Sequence, residues 1–103
     1  MAQEWQFEAE LWVWDARREQ TWTFVTVPPE ISADIEDAAM TGGPPRGFGS
    51  VRVEVLVGAS TWRTSVFPDK ESGCFVLPVK KAVRQAEDLH EGTLVSVHLR
   101  VVT

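Results

Sequence analysis

The sequence predicts a mainly β fold, a small closed or nearly closed barrel of about six strands with two short helices. Several segments alternate apolar and polar residues with a period of two, which is typical of strands with one buried face. Two other segments repeat apolar residues at helical spacing. With 103 residues, 44% of them hydrophobic, the chain suits a single core, and we assign residues 1–103 to one barrel domain.

The first two strands are predicted to form a hairpin. The segment WQFEAELWVW, residues 5–14, alternates along its length, and TWTFVTV follows after the polar loop DARREQ. A hairpin centred on that loop places Leu11 opposite Val25. The same register gives the hairpin one aliphatic face and one aromatic face.

The aromatic face forms a candidate binding surface, called here the aromatic patch: Trp12, Trp14, Trp22 and Phe24. One interpretation is that a helix covers these side chains and buries them. The other is an exposed surface suited to a protein partner or a planar ligand.

The segment PPEISADIEDAAM, residues 28–40, predicts the first helix, because Ile31, Ile35 and the alanines after them recur at helical spacing. The Gly/Pro-rich segment TGGPPRGFGS that follows is interpreted as a connection within the domain.

The segment VRVEVLVGASTWRTSVF predicts a second hairpin around a two-residue Gly58-Ala59 turn. In that register Val55 faces Trp62, and Glu54 lies opposite Arg63 as an ion pair.

The C-terminal part predicts a short strand, CFVLP, then a helix and a last strand. The helix is expected over Val79–Leu89, with its apolar stripe formed by Val79, Ala82, Val83, Ala86 and Leu89. The last strand, TLVSVHLRVV, turns its apolar residues inward: Val95, Val97, Leu99 and Val101.

The charge distribution disfavours some partners. The net charge is −5, yet residues 41–103 hold eight basic and six acidic residues. The acidic total opposes binding to a nucleic-acid backbone but leaves room for a local anion site. No segment approaches the roughly 20 apolar residues of a membrane span, no basic leader is present, and the lone cysteine cannot form an internal disulfide. A cytoplasmic protein without a membrane partner is expected.

A basic triad, Lys80, Lys81 and Arg84, opens the second predicted helix. It is either a solvated face, with Arg84 near Asp88, or a set of side chains that converges with helix-start N–H groups on an anion. The predicted ligand-binding residues are Arg46, Thr64, Ser65, Lys80, Lys81 and Arg84. Because Thr64 and Ser65 are neighbours in a strand, at most one of them can line a given pocket.

No catalytic motif is visible. His90 falls in a turn and His98 on the polar side of the last strand, and the chain lacks zinc, phosphate-loop and nucleophile-elbow patterns. We predict no catalytic residue, no metal and no cofactor. A hydrolase or isomerase that uses Asp69 or a histidine is the least favoured function.

Four motifs, WDARREQTWTFVTVP, RGFGSVRV, TWRTSVFPDKESGCFVLPVKKAVRQAE and LHEGTLVSVHL, resemble the bacterial family called domain of unknown function nineteen hundred and five (DUF1905). The resemblance implies a double-split β-barrel related to the swapped-hairpin barrels of AbrB/MazE-type regulators. It carries over no catalytic residue. The chain has Gly92-Thr93 where the family usually has Gly-Asp, and Asp88 where a glycine often precedes the leucine.

The function favoured by these observations is a small, non-enzymatic accessory or binding module for an anionic small ligand or a protein partner. The alternative is a nucleic-acid-binding regulator, by analogy with the related barrels. A monomer and a homodimer both stay open.

Overall fold

The computed structural model describes residues 4–17, 20–41 and 49–102. In these ranges the chain forms seven strands and two helices, in the order β1 (Glu4–Glu10), β2 (Trp12–Arg17), β3 (Gln20–Thr26), α1 (Pro29–Thr41), β4 (Val51–Val57), β5 (Ser60–Pro68), β6 (Phe75–Pro78), α2 (Lys81–Glu87) and β7 (Leu94–Val101). Neighbouring strands are antiparallel in the order β1-β7-β4-β5-β6-β3-β2. The sheet is curled into a half-barrel, which confirms the predicted mainly β, barrel-like class.

The predicted first strand is divided in two at Leu11, which corrects the sequence-based boundary. Leu11 is buried and lies between β1 and β2. Its N–H donates to the Thr93 carbonyl (2.9 Å), and its own carbonyl accepts from the Gly92 N–H (2.8 Å). These bonds turn the chain at Leu11, so β1 pairs with β7 while β2 pairs with β3, and Leu11 does not join Val25 in a ladder.

Both predicted hairpin registers are otherwise confirmed. In the first, the ladder pairs Trp12 with Phe24 and Trp14 with Trp22. In the second, seven consecutive pairs run from Val51–Val66 to Val57–Ser60. Gly58 has a φ of +58°, the left-handed conformation that the first position of a two-residue hairpin turn requires.

Helix α1 forms where its spacing predicts it and covers one side of the core. Ile35 is fully buried, and Ile31 and the alanines at 38 and 39 pack against the same core. Ser32 ties the helix to the sheet: its hydroxyl donates to the Val27 carbonyl and accepts from the Phe75 N–H, both at 3.0 Å.

Helix α2 is shorter than predicted. Val79 still pairs with β3, because its N–H donates to the Thr23 carbonyl (2.9 Å) and its carbonyl accepts from the Thr23 hydroxyl (2.6 Å). Lys80 is consequently extended, with φ −74° and ψ 158°, and the helix begins only at Lys81. At the other end, Asp88 adopts the left-handed conformation (φ 54°) and ends the helix.

The predicted apolar stripe of α2 is also narrower than expected. Val79 and Val83 are buried and Leu89 is half-buried, but Ala82 and Ala86 are exposed. The helix has seven residues and makes about two turns, so it presents few positions to the core. Val83 is its one buried residue.

The last strand places its apolar residues in the core as predicted, and Val95, Val97, Leu99 and Val101 are all buried. Neither helix in the described part of the chain combines the length and the hydrophobicity needed to cross a bilayer.

Candidate functional site

A cleft of about 480 Å³ opens between β3, β5 and the segment that enters α2. Its volume falls within the range of small-molecule sites. We call it the α2 cleft, and its lining residues are Trp22, Thr23, Trp62, Arg63, Thr64, Pro78, Val79, Lys80, Lys81 and Arg84. These residues lie far apart in the sequence, and the β3–β6 ladder and the packing of α2 on β5 bring them together.

The entry to α2 is fixed against β3. The two hydrogen bonds between Thr23 and Val79 hold the backbone immediately before Lys80. Thr23 is itself buried, so its hydroxyl has no water to bond instead. The position of the basic segment relative to β3 is therefore determined by buried contacts.

The far end of α2 is fixed to the turn between β4 and β5. One carboxylate oxygen of Glu87 accepts from the Ser60 hydroxyl (2.7 Å) and from the Ala59 N–H (3.3 Å). A side chain at position 58 would overlap the Glu87 carboxylate, so this close approach requires Gly58. With both ends held, the side chains between them keep a defined position beside β5.

The charged residues that line the α2 cleft all have the same sign. All four ionisable residues that line it are basic, and none is acidic. Arg63 is partly engaged elsewhere, because its Nε lies 3.5 Å from the Glu54 carboxylate. Among the described residues no carboxylate forms an ion pair with Lys80, Lys81 or Arg84. The predicted pairing of Arg84 with Asp88 is not formed; Asp88 contacts His90 at 2.9 Å instead.

Arg84 has a side-chain nitrogen that forms no hydrogen bond. Its Nε is shielded from solvent and has no hydrogen-bond partner. Buried polar groups in proteins are nearly always hydrogen-bonded, so such an N–H calls for an explanation. Arg84 also lines the α2 cleft, and a guanidinium group carries N–H donors in a geometry that suits an anion.

Other concave regions of the described surface differ in charge. One contains Glu36 and Asp69 with Lys70, a second contains Glu10 and Glu91, and a third combines Glu4 and Glu54 with His98 and Arg100. Each of them includes carboxylates, which would repel an anion. The α2 cleft is therefore the best candidate for an anion among these four.

The structure brings four of the six predicted ligand-binding residues together in this cleft: Thr64, Lys80, Lys81 and Arg84. Ser65 does not line it, as expected from strand alternation. Arg46 lies outside the described residues. Helix α2, with seven residues, is too short for an anion site made of helix-start N–H groups, so any site here depends on side chains.

The aromatic patch is divided. Trp12 and Phe24 pack against each other with ring centroids 5.0 Å apart, and the Trp12 indole N–H donates to the Thr26 hydroxyl (2.9 Å). Trp14 and Trp22 are about half exposed, at 53% and 49%. With this exposure in the described structure, the interpretation of a patch buried by a helix is wrong for these two residues.

The remaining titratable candidates have local structural roles. Asp69 accepts from the Glu71 N–H and the Ser72 hydroxyl within its own turn. His98 lies 3.8 Å from Glu4 on the outer face of β7. Cys74 is a buried thiol 3.7 Å from the Ser72 carbonyl. Across the described ranges, no three potential metal ligands lie close enough to hold an ion.

The sequence-based reasoning missed Trp22, Trp62 and Arg63 as cleft residues. Trp22 was assigned to the aromatic patch alone, because nothing in its spacing indicates that β3 lies beside the entry to α2. The pairing of β3 with β6, which is rich in buried apolar residues, was the signal that could have placed it there.

The curled antiparallel sheet, two short helices and an open cationic cleft define a small β-barrel-like domain. Residues 7–99 match the family described as "Domain of unknown function (DUF1905)", which covers most of the chain, and the chain belongs to that family. No curated protein matches the chain.

Proposed function

We propose that this protein is a small, non-enzymatic binding module of the bacterial cytoplasm whose α2 cleft binds a small anionic ligand. The observation that carries the proposal is that all four ionisable residues that line the cleft are basic, Arg84 among them. Lys80 and Lys81 add positive charge to the same cleft, and no carboxylate of the described ranges lines it or forms an ion pair with them.

The Arg84 guanidinium group is a strong donor for an anionic ligand. An anion that accepts from the Arg84 guanidinium group would form charge-assisted hydrogen bonds, which are about twice as strong as neutral ones. A neutral ligand of equal size could also accept from the guanidinium group, but it would gain no ion pairing with it.

The charge distribution favours a small ligand over a polymer. The basic residues of the cleft are confined to one concavity on a chain of net charge −5. A nucleic-acid backbone needs a basic footprint that extends over several phosphates. The alternative is a protein partner. The half-exposed Trp14, which lies outside the cleft, offers an apolar surface for it.

The experiment is a thermal unfolding series with sodium phosphate at constant ionic strength, on the wild type and on Arg84→Met. Methionine keeps the apolar stem of Arg84 and removes its charge and its unpaired N–H, so the variant should fold at least as stably as the wild type. Arg52→Met is the matched control, because Arg52 is exposed on β4 and lines none of the clefts described above.

Phosphate at ten times its dissociation constant should stabilise the wild type by about 1.4 kcal/mol, a rise in Tm of about 5–10 °C for a domain of this size. Arg52→Met should show the same rise, and Arg84→Met should show none. An equal rise in Arg84→Met, or no rise in the wild type, would refute the proposal.

A further inference from the structure

Two tryptophans line the α2 cleft together with its basic residues. Trp22 on β3 is half exposed, and Trp62 on β5 is buried. Lys81 and Arg84 of α2 line the same cleft. The cleft therefore offers an apolar π surface and a cationic surface to the same bound molecule.

The exposure of Trp22 is not explained by the fold. Its neighbours in the patch, Trp12 and Phe24, are packed on each other, and the Trp12 N–H is hydrogen-bonded. The cross-strand partner of Trp22 is Trp14, which is equally exposed but does not line the cleft. An exposed indole costs hydration free energy, and here a ligand in the cleft would cover it.

We infer that the α2 cleft selects small anions that carry a planar ring, with the ring packed on Trp22 and the anionic group held by Lys81 and Arg84. This inference rests on the proposed function and adds the chemical class of the ligand. Ring stacking on an aromatic side chain is tolerant of ring identity, so Trp22 supplies a preference for planarity rather than for one compound.

The preference has a predicted size. Stacking on one aromatic side chain is worth enough to change affinity by about tenfold. Phenyl phosphate and methyl phosphate are the probes, because they share the phosphate group and differ by the ring. We expect phenyl phosphate to bind about tenfold more tightly in isothermal titration calorimetry at fixed salt.

The variants isolate the role of Trp22. Trp22→Leu should bind both probes equally and keep its affinity for methyl phosphate. Trp22→Phe, which retains a ring, should keep a preference for phenyl phosphate. Trp14→Leu is the matched control, since Trp14 has the same exposure and the same hairpin, and it should behave as the wild type. Tm values for all three variants show whether each is folded.

The outcomes separate the two proposals. Arg84-dependent binding of methyl phosphate without any gain from the phenyl ring would refute the inference and leave the proposed function intact. Loss of the phenyl preference in Trp14→Leu as well as in Trp22→Leu would also refute it. Tighter binding of single-stranded oligothymidylate than of phenyl phosphate would overturn the small-ligand class. If neither phosphate binds in an Arg84-dependent way, the proposed function fails together with the inference.

Discussion

Helices α1 and α2 are attached to the same sheet in different ways. Helix α1 has 13 residues, a fully buried Ile35, and a buried Ser32 whose hydroxyl both donates and accepts. Helix α2 has seven residues, an N-cap at Lys80 without a side-chain hydrogen bond, and an Arg84 whose Nε has no partner. Packing and hydrogen bonding account for α1 almost completely. In α2 they leave basic groups unpaired, and these groups line the cleft.

The largest expected effect is on the attachment of α1. Ser32→Ala removes the acceptor of the Phe75 N–H and a donor to the Val27 carbonyl, both in a buried region. The unsatisfied groups should reduce the free energy of unfolding by about 2–3 kcal/mol. Urea denaturation measures this directly.

Ser96→Ala is the control for that experiment, because the Ser96 hydroxyl bonds Glu8 at an exposed position. Its effect should stay within about 0.5 kcal/mol. If the two variants lose equal stability, the buried role assigned to Ser32 is wrong, and the contrast between the helices loses its main support.

A smaller effect, of opposite sign, is expected at the end of α2. Asp88 holds a φ of 54°, which favours glycine, and its carboxylate lies at the negative end of the helix dipole. Asp88→Gly should therefore raise the free energy of unfolding by about 0.5–1 kcal/mol. Asp88→Asn removes only the charge and should recover part of that gain. A loss of stability in Asp88→Gly would show that the exposed contact with His90 outweighs the backbone strain.

The smallest effect concerns Glu54, which engages one basic residue of the α2 cleft. The hydrogen bond from Arg100, assisted by Arg63, lowers the pKa of Glu54 below its ordinary value of 4.5. Because the folded-state pKa is the lower one, the pairing stabilises the protein above about pH 4.5 and is lost as the pH falls through the folded-state pKa. Glu54→Gln should be slightly less stable than the wild type at neutral pH and equal to it in acid. A Tm difference that does not change between neutral and acidic pH would contradict this pKa shift.

The sequence-based predictions were accurate where the interacting residues are close in sequence, and they failed where these residues are far apart. The register of β4 and β5 was predictable, because the Gly58-Ala59 turn and the Glu54–Arg63 pair are local and agree with each other. The division at Leu11 was not, since it depends on bonds to Gly92 and Thr93 at the other end of the chain.

The residues of the candidate site also differ in whether the sequence could predict them. Lys80, Lys81 and Arg84 were recognisable because three basic residues within five positions are conspicuous in an acidic chain. The addition of Trp22 depends on the pairing of Thr23 with Val79, 56 positions apart, which no spacing argument reveals. The same pairing explains why the helix was predicted to begin too early. It keeps Lys80 extended, so α2 begins at Lys81 and not at Val79.

The division at Leu11 has a consequence for biosynthesis. It sends β1 to pair with β7, the first described strand with the last, while β2 pairs with β3 nearby. During translation the β2–β3 hairpin can form early, but β1 has no partner until β7 has left the ribosome. Its apolar face, with Phe7 and Trp5, stays uncovered until then. The sheet therefore gains its β1 edge only after β7 has been synthesised, although β1 is made first among the described strands.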